Sequence, residues 1–276
     1  MQPVIQHRAA VLGKPVGHSL SPVLHNAGYA AAGLTGWSYT AIECAEAELP
    51  DLVSGLGPEW AGLSLTMPLK EVGLAVATEV RPVAAALGVT NTLVRLPGGG
   101  WRADNTDVPG MVASLREAGV DAVADVAVLG AGGTARAAVA AAAQLGADRV
   151  VVYARRPEAV DELRPVAERL GVALAGAGWD RAAGCAAADV VISTVPKGVA
   201  DSLDVPWRAG TVLFDALYHP WPTPLAASAQ RAGCGIVSGL DLLWAQALGQ
   251  FEQFTGVAAP AAPMREALLA AWRARA

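Results

Sequence analysis

Ten residues near the middle of the chain, Val126 to Ala135, limit its fold more than any other stretch. Val126-Ala127-Val128-Leu129 is a short apolar run with two β-branched residues, the composition of a buried strand. Gly130-Ala131-Gly132-Gly133-Thr134 interrupts it, and an alanine-rich run from Ala135 to Leu145 then reaches Gly146, as a helix does ahead of its cap. The glycines fit the pattern Gly-x-Gly-x-x-Ala. Gly130 serves the tight turn, Gly132 the close approach of a pyrophosphate, and Ala135 the contact of helix with strand. The unpaired N–H groups and dipole of the new helix favour phosphate at this point. An NAD site places an acid about 20 residues further on, to bind the ribose. Here the next strand, Arg149 to Tyr153, is followed by Ala154-Arg155-Arg156-Pro157, with no carboxylate. Two guanidiniums suit a 2′-phosphate, which their planar forks bind through paired hydrogen bonds, so the expected cofactor is NADP.

A chain of 276 residues, 53% hydrophobic, can bury a sizeable core and has room for two domains. Its apolar residues are dispersed, and no uninterrupted run approaches the ~18 residues of a membrane span. Met1 to Arg8 lacks the basic-then-apolar layout of a signal peptide, so a cytoplasmic protein is expected. Cys44, Cys185 and Cys234 are far apart and unaccompanied by histidines at ligand spacing, which suggests neither a disulfide framework nor a metal site. A net charge of −5 with no basic run argues against nucleic acid or an anionic membrane as partner. These bounds favour an enzyme acting on a small molecule.

Read in order, the chain alternates strands and helices. Strands are expected at 9–12, 37–42 and 62–65, and helices at 22–32, 46–53, 69–77 and 82–87. A hairpin across Pro97-Gly98-Gly99 joins 91–95 to 100–103. A helix over 108–118 leads into the glycine turn. Later strands are expected at 149–153, 172–174, 189–193, 211–215 and 236–237, with a helix over 225–232. The last two helices, 239–254 and 264–276, carry no further strand-helix rhythm and are expected to return to the first domain. The predicted architecture is therefore α/β with two domains. Residues 1–106 plus 239–276 form a substrate-binding and catalytic domain, and 107–238 form a Rossmann-type NADP-binding domain.

Within the first domain, Gly17-His18-Ser19-Leu20-Ser21-Pro22 places two hydroxyls at a strand end and a helix start, a combination that binds carboxylate or phosphate but is also an ordinary helix cap. That segment, with Ser64-Leu65-Thr66-Met67-Pro68-Leu69-Lys70, Gly88-Val89-Thr90-Asn91-Thr92, Asp104-Asn105-Thr106-Asp107 and the glycine turn, resembles the shikimate dehydrogenase family in order and spacing across nearly the whole chain. Asp215-Ala216-Leu217-Tyr218-His219-Pro220, Thr223-Pro224 and Gly239-Leu240-Asp241-Leu242-Leu243-Trp244-Ala245-Gln246 extend the resemblance.

The resemblance implies reversible, NADP-dependent reduction of 3-dehydroshikimate to shikimate, a step of aromatic amino acid biosynthesis, by a monomer or homodimer. It assigns Lys70 and Asp107 as the catalytic pair. Ser19 and Ser21 would bind the substrate carboxylate, while Ser64, Thr66, Asn91, Thr106, Tyr218 and Gln246 would surround the ring. Gly130, Ala131, Gly132, Gly133, Thr134, Ala135, Ala154, Arg155, Arg156, Thr194 and Gly239 would hold the cofactor. The residue types suit the chemistry: a hydride arriving at a ketone builds an alkoxide, which needs a proton and a nearby positive charge. By position alone, Lys70 would be a solvated lysine and Asp107 a helix cap; only the joint pattern favours catalysis.

Two departures stand out. Ser64 occupies a place where the family commonly has Asn, which predicts a weaker or water-mediated substrate contact. Ala154-Arg155-Arg156 replaces the family's usual Asn-Arg-Thr, losing an amide and adding a cation. A quinate or aminoshikimate dehydrogenase on the same fold is the neighbouring alternative, and the arginine pair argues against the NAD preference common in quinate enzymes. A noncatalytic sensor of shikimate-like acids is the alternative from another class, opposed by the presence of Lys70 and Asp107. A folate or amino-acid dehydrogenase relative would not call for the Ser19/Ser21 pair.

Overall fold

The alternation of strand and helix is realised as two six-stranded sheets in a mixed α/β chain, seen in a computed structural model that describes residues 5–275. Met1 to Val4, which entered the signal-peptide expectation, and Ala276, the expected end of the last helix, lie outside the described residues. The chain divides into two units, residues 1–106 with 246–276 and residues 107–245. The return to the first unit falls inside one helix, between Ala245 and Gln246, where the glycine at 239 had suggested an earlier border.

The first unit runs β1 (His7–Gly13), α1 (Ser21–Ala31), β2 (Trp37–Glu43), α2 (Leu49–Ser54), β3 (Trp60–Leu65), β4 (Glu79–Val80), α3 (Pro82–Leu87), β5 (Thr92–Arg95) and β6 (Trp101–Asp104). Its sheet has the order β2-β1-β3-β5-β6-β4. β1 is parallel to β2 and β3, and the hairpin β5/β6 adds antiparallel strands beside β3. One core cluster gathers Leu12, Leu49, Leu63, Leu65, Leu69 and Leu93. Opposite it, a Cβ on Gly62 would collide with the Phe254 ring, so glycine is what allows the late helix carrying Phe254 to lie against β3.

The second unit runs α4 (Asp107–Glu117), β7 (Asp125–Leu129), α5 (Gly133–Gln144), β8 (Arg149–Ala154), α6 (Pro157–Asp161), α7 (Arg164–Leu170), β9 (Ala173–Gly178), β10 (Val190–Ser193), β11 (Val212–Asp215), α8 (Pro224–Arg231) and β12 (Gly235–Ser238). Then follow α9 (Gly239–Thr255), which crosses the border, and α10 (Ala261–Arg273) of the first unit. All pairings in the second sheet are parallel, in the order β12-β11-β10-β7-β8-β9. Counted from β7 as strand one this is 3-2-1-4-5-6, the doubly wound dinucleotide-binding order, with its switch point between β7 and β10. The alanines of α5 explain its seating: Ala135, Ala138, Ala141 and Ala142 are buried against Val126, Val128, Val150 and Val152, and small side chains bring helix and sheet close.

Three stretches differ from expectation. The helix predicted over 69–77 is a set of turns followed by a 3-10 helix, Val72–Val76. The cause is tertiary: the Lys70 carbonyl accepts from Thr90 N at 2.8 Å instead of from the next helical turn. Between β8 and β10, α6 begins at Pro157 and α7 has Pro165 as its second residue, and a further 3-10 helix spans Trp179–Ala187; the sequence showed no long apolar period there. β9 extends to Gly178, beyond the predicted Leu174, because backbone pairing with β8 from Arg149↔Ala173 to Ala154↔Gly178 overrides the poor strand propensity of alanine and glycine. Among the described residues no helix is long and apolar enough to cross a membrane, and all three cysteines are buried and free.

Candidate functional site

In the second unit the glycine turn sits at the switch point. Gly130 has φ +101°, and a Cβ there would lie 2.7 Å from Thr194 Oγ1, so conformation and space both demand glycine. Thr194 closes the turn from β10: its N–H and hydroxyl both donate to Leu129 O, at 2.8 and 2.9 Å. A Cβ on Gly132 would meet nothing within 4 Å, which leaves open space over the start of α5, where the first N–H groups have no helical partner. Ala135 is fully buried at the helix–sheet contact. Gly133 opens α5 and Thr134 follows it, while Ala131 packs partly buried against the core.

At the end of β8 the two arginines part company. Arg155, with Ala154, lines a cavity of about 270 Å³ whose other walls include Val160, Asp161, Arg164 and Gly178. Arg156 is the residue that precedes the first turn of α6 and does not line this cavity. Arg164 is neutralised by Asp161, at 2.8 Å, so Arg155 is the cation there without a carboxylate of its own among the ion pairs of the described residues. Sequence reasoning named Arg155 and missed Arg164, which reaches the cavity from the start of α7, beyond α6.

In the first unit, Ser19 and Ser21 stand together. Ser19 Oγ lies 3.2 Å from Ser21 Oγ and accepts from Ser21 N at the same distance, so two hydroxyls stand together at the start of α1, whose N-cap residue, Leu20, gives no side-chain cap. Thr66 is held by its N–H on Leu12 O at 2.9 Å. Its methyl occupies the space that a side chain on Gly13 would need.

Around Asn91 the site becomes a network. Asn91 Nδ2 donates to Thr106 Oγ1 at 3.0 Å and to Gln246 Oε1 at 3.4 Å, while Asn91 Oδ1 accepts from Thr106 N at 2.8 Å and from Thr92 Oγ1 at 2.7 Å. Asn91, Thr106 and Gln246 are all buried. Ser64 is buried too: its hydroxyl accepts from Tyr39 OH at 2.6 Å and donates to Gln250 Oε1 at 2.7 Å. Tyr39, Thr92 and Gln250 were missed in the sequence. The available signal for Gln250 was its place one helical turn after Gln246 on α9.

Tyr39 stacks on His25, with centroids 4.1 Å apart and planes 4° from parallel. His25 is fully buried, and burial pushes its pKa down to about 3, with Gln250 partly opposing the shift. His25 is therefore neutral at any physiological pH.

Lys70 is half-buried in the turns after β3, and Asp107 is buried as the first residue of α4. Tyr218 is carried on the loop between β11 and α8. Asp215 closes that loop by accepting from Thr223 Oγ1 at 2.7 Å and Leu217 N at 3.1 Å, and Thr223 in turn caps α8 through Ala226 N. Burial raises the pKa of Asp215, and the hydrogen bonds from Thr223, Leu217 and Ser193 oppose the rise. Gly239 donates from its N–H to Leu217 O at 3.1 Å, and a Cβ on it would collide with Ala216 O, so backbone packing alone accounts for glycine there. Among the described residues no group of three or more histidines, cysteines or carboxylates could hold a metal ion.

Comparison with known proteins places this geometry. A family model described as the shikimate dehydrogenase substrate binding domain matches residues 11–93, and one described as the shikimate 5′-dehydrogenase C-terminal domain matches residues 239–269. A shikimate dehydrogenase (NADP(+)) of Moorella thermoacetica is 37% identical over 94% of this chain and 91% of its own length. The crystal structure of shikimate dehydrogenase from Mycobacterium tuberculosis superposes with a TM-score of 0.86 at 46% identity, covering 96% of this chain and 99% of that one. That of shikimate 5-dehydrogenase from Thermus thermophilus, in complex with NADP(H) and shikimate, gives a TM-score of 0.82 at 31% identity over 96% of this chain and 99% of the other.

Proposed function

This chain belongs to the shikimate dehydrogenase family, and on that premise we propose that it reduces 3-dehydroshikimate to shikimate, reversibly, with NADP. The structural observation that supports the substrate class is the buried cluster of Asn91, Thr106 and Gln246: neutral amides and hydroxyls gathered in an interior where apolar side chains would otherwise pack. Such groups recognise hydroxyls and ketones on a small ring, and buried polar groups left unpaired by the wrong ligand penalise it.

NADP fits the residues of the second unit. Open space over Gly132, the free N–H groups at the start of α5, and the Arg155 guanidinium at the β8 cavity would hold a pyrophosphate and a 2′-phosphate. When bound, it supplies the hydride to the ketone carbon or takes it from the alcohol.

The chain's own residues do the rest. Ser19 and Ser21 donate to the substrate carboxylate. Thr66, Asn91, Thr106, Tyr218 and Gln246 fix the ring through its hydroxyls. Lys70 delivers a proton to the ketone oxygen as negative charge builds on it and stabilises that charge until transfer is complete. Asp107 favours the charged form of Lys70 and accepts a hydrogen bond from a substrate hydroxyl, while in the reverse direction neutral Lys70 takes the proton back from the alcohol. A net charge of −5 without a basic run supports a small-molecule enzyme with no nucleic-acid or anionic-membrane partner.

The test is a double-mutant cycle. Lys70→Ala is expected to lower kcat by roughly 10²- to 10⁴-fold, the usual contribution of general acid catalysis, while calorimetry still detects shikimate binding. Asp107→Asn should lower kcat as well, and the double variant should be far less impaired than the product of the two losses, because the groups act as a unit. A Lys70→Ala protein with parental kcat would remove Lys70 from the mechanism. A parent that binds shikimate and NADP without turnover would instead be a sensor.

A further inference from the structure

The polarity of the buried hydrogen bonds around Asn91 is fixed by two backbone groups that cannot change role. Thr106 N–H is a donor only, so the Asn91 side-chain atom 2.8 Å from it is the oxygen, and the amide nitrogen must face Thr106 Oγ1 and Gln246. Asn91 O is an acceptor only, so the Gln250 atom 3.0 Å from it is the nitrogen, and the Gln250 oxygen must face Ser64. Every hydroxyl in between is then determined. Ser64 gives its proton to Gln250 at 2.7 Å and receives one from Tyr39 at 2.6 Å. Gln250 Nε2 donates to Thr92 Oγ1 at 2.9 Å, and Thr92 passes its own proton to Asn91 Oδ1 at 2.7 Å. The chain of donors runs one way, through side chains that are all buried.

We infer that Gln250 and Thr92 are positioning residues, which hold the Asn91 amide with its nitrogen on the side of Thr106 Oγ1 and Gln246, so that the N–H on the long 3.4 Å bond to Gln246 is the one a ring oxygen of the substrate takes over. Ser64 belongs to the same relay: its single proton is committed to Gln250, so toward a substrate it can accept but not donate. The inference deepens the proposed function and rests on Asn91 touching the substrate. Replacing Thr92 by an isosteric apolar residue removes the shortest of three bonds to Asn91 Oδ1, leaving only the two from Thr106, and loosens the amide. A displaced amide no longer aims its N–H at the ring oxygen, and the substrate loses that donor.

The experiment compares the parent with Thr92→Val, Thr92→Ser and Gln250→Met, measuring KM for shikimate, KM for NADP, shikimate affinity by calorimetry and melting temperature. Thr92→Val and Gln250→Met are expected to raise KM and Kd for shikimate roughly tenfold, the effect of one buried polar group left without its partner, while KM for NADP stays within about twofold. Thr92→Ser, which restores the hydroxyl, should return shikimate affinity to near the parental value. A purely structural role would lower the melting temperature and move both KM values together, and that result overturns the inference, as does an unchanged shikimate KM in Thr92→Val. Should Gln250→Met fail to fold, the Val/Ser pair at Thr92 decides alone. A parent that binds shikimate without turning it over fails the catalytic reading only, since calorimetry on the same variants still tests the relay. A parent that does not bind shikimate overturns both.

Discussion

The glycine turn of the second unit and the Asn91 cluster of the first recognise ligands by opposite means. The turn is made of backbone and absent side chains: Gly130 at φ +101°, open space over Gly132, and a helix start with unpaired N–H groups. Its determinants are contiguous, and any ligand it holds is an anion met by dipoles. The Asn91 cluster is made of side chains drawn from β2, β3, β5, the segment before α4, and α9, up to 186 residues apart across the Ser64–Gln250 bond. Its determinants are held by one another. A site of the first kind tolerates change around it but not within the turn, whereas a site of the second kind is sensitive wherever one partner can be removed.

The largest expected effect tests how far the first unit depends on buried titratable side chains. The pKa of His25 is lowered from 6.5 to about 3. A lowered folded-state value on a base means that the unfolded chain binds the proton more readily, so stability is full above about pH 6.5 and is lost as pH falls toward 3, by about 1.4 kcal/mol per pH unit. His25→Phe, which keeps the ring against Tyr39, should flatten that dependence in urea unfolding followed by hydrogen exchange of α1. In the second unit Asp215 has its pKa raised, which gives the opposite sign: its contribution is present at low pH and lost as pH rises through the folded value. Equal acid sensitivity in His25→Phe and parent would break the contrast.

Gly130→Ala addresses the turn itself. The left-handed backbone costs roughly 1–2 kcal/mol for a residue with a Cβ, and overpacking against Thr194 adds a similar amount. NADP affinity should fall on the order of 100-fold, with the shikimate affinity of the free protein little changed. A loss of both affinities would mean that the turn is needed for folding more than for phosphate.

Arg155→Ala is a milder probe of the same unit. It should weaken NADP by roughly 1.5–3 kcal/mol, the worth of a charge-assisted hydrogen bond, and leave NAD nearly untouched. Arg156→Ala, outside the β8 cavity, should do much less; parity between the two variants would show that the 2′-phosphate is read elsewhere.

The smallest effect is expected at the start of α1. Ser19→Ala and Ser21→Ala should each raise KM for shikimate by about one hydrogen bond's worth, roughly tenfold, without moving KM for NADP. An unchanged shikimate KM in the double variant would place the acid group elsewhere.

The same contrast explains what could be read from the sequence. The strand, glycine turn and helix from Val126 to Leu145 obey local rules of spacing and backbone geometry, so this dinucleotide-binding unit could be read from twenty adjacent residues. The turns around Lys70 did not, because Thr90 withdraws the Lys70 carbonyl from helical bonding and that partner lies 20 residues away. Ser64 was legible as a departure from a family pattern, but its commitment to Tyr39 and Gln250 was not. Nothing local marks a serine as buried between two side chains from distant elements. Gly239 was read through its motif as a cofactor residue; the close approach of its backbone to Ala216, a second reason for glycine there, is visible only in three dimensions.

The most direct measurement of function is the change in nicotinamide absorbance when purified protein is given shikimate, quinate or aminoshikimate, each with NADP and with NAD. Turnover should be fastest for shikimate with NADP, and exchanging NADP for NAD should reduce kcat/KM by at least tenfold, as Arg155 at the end of β8 requires. Faster turnover of quinate with NAD, or binding of shikimate and NADP without any absorbance change, would contradict it.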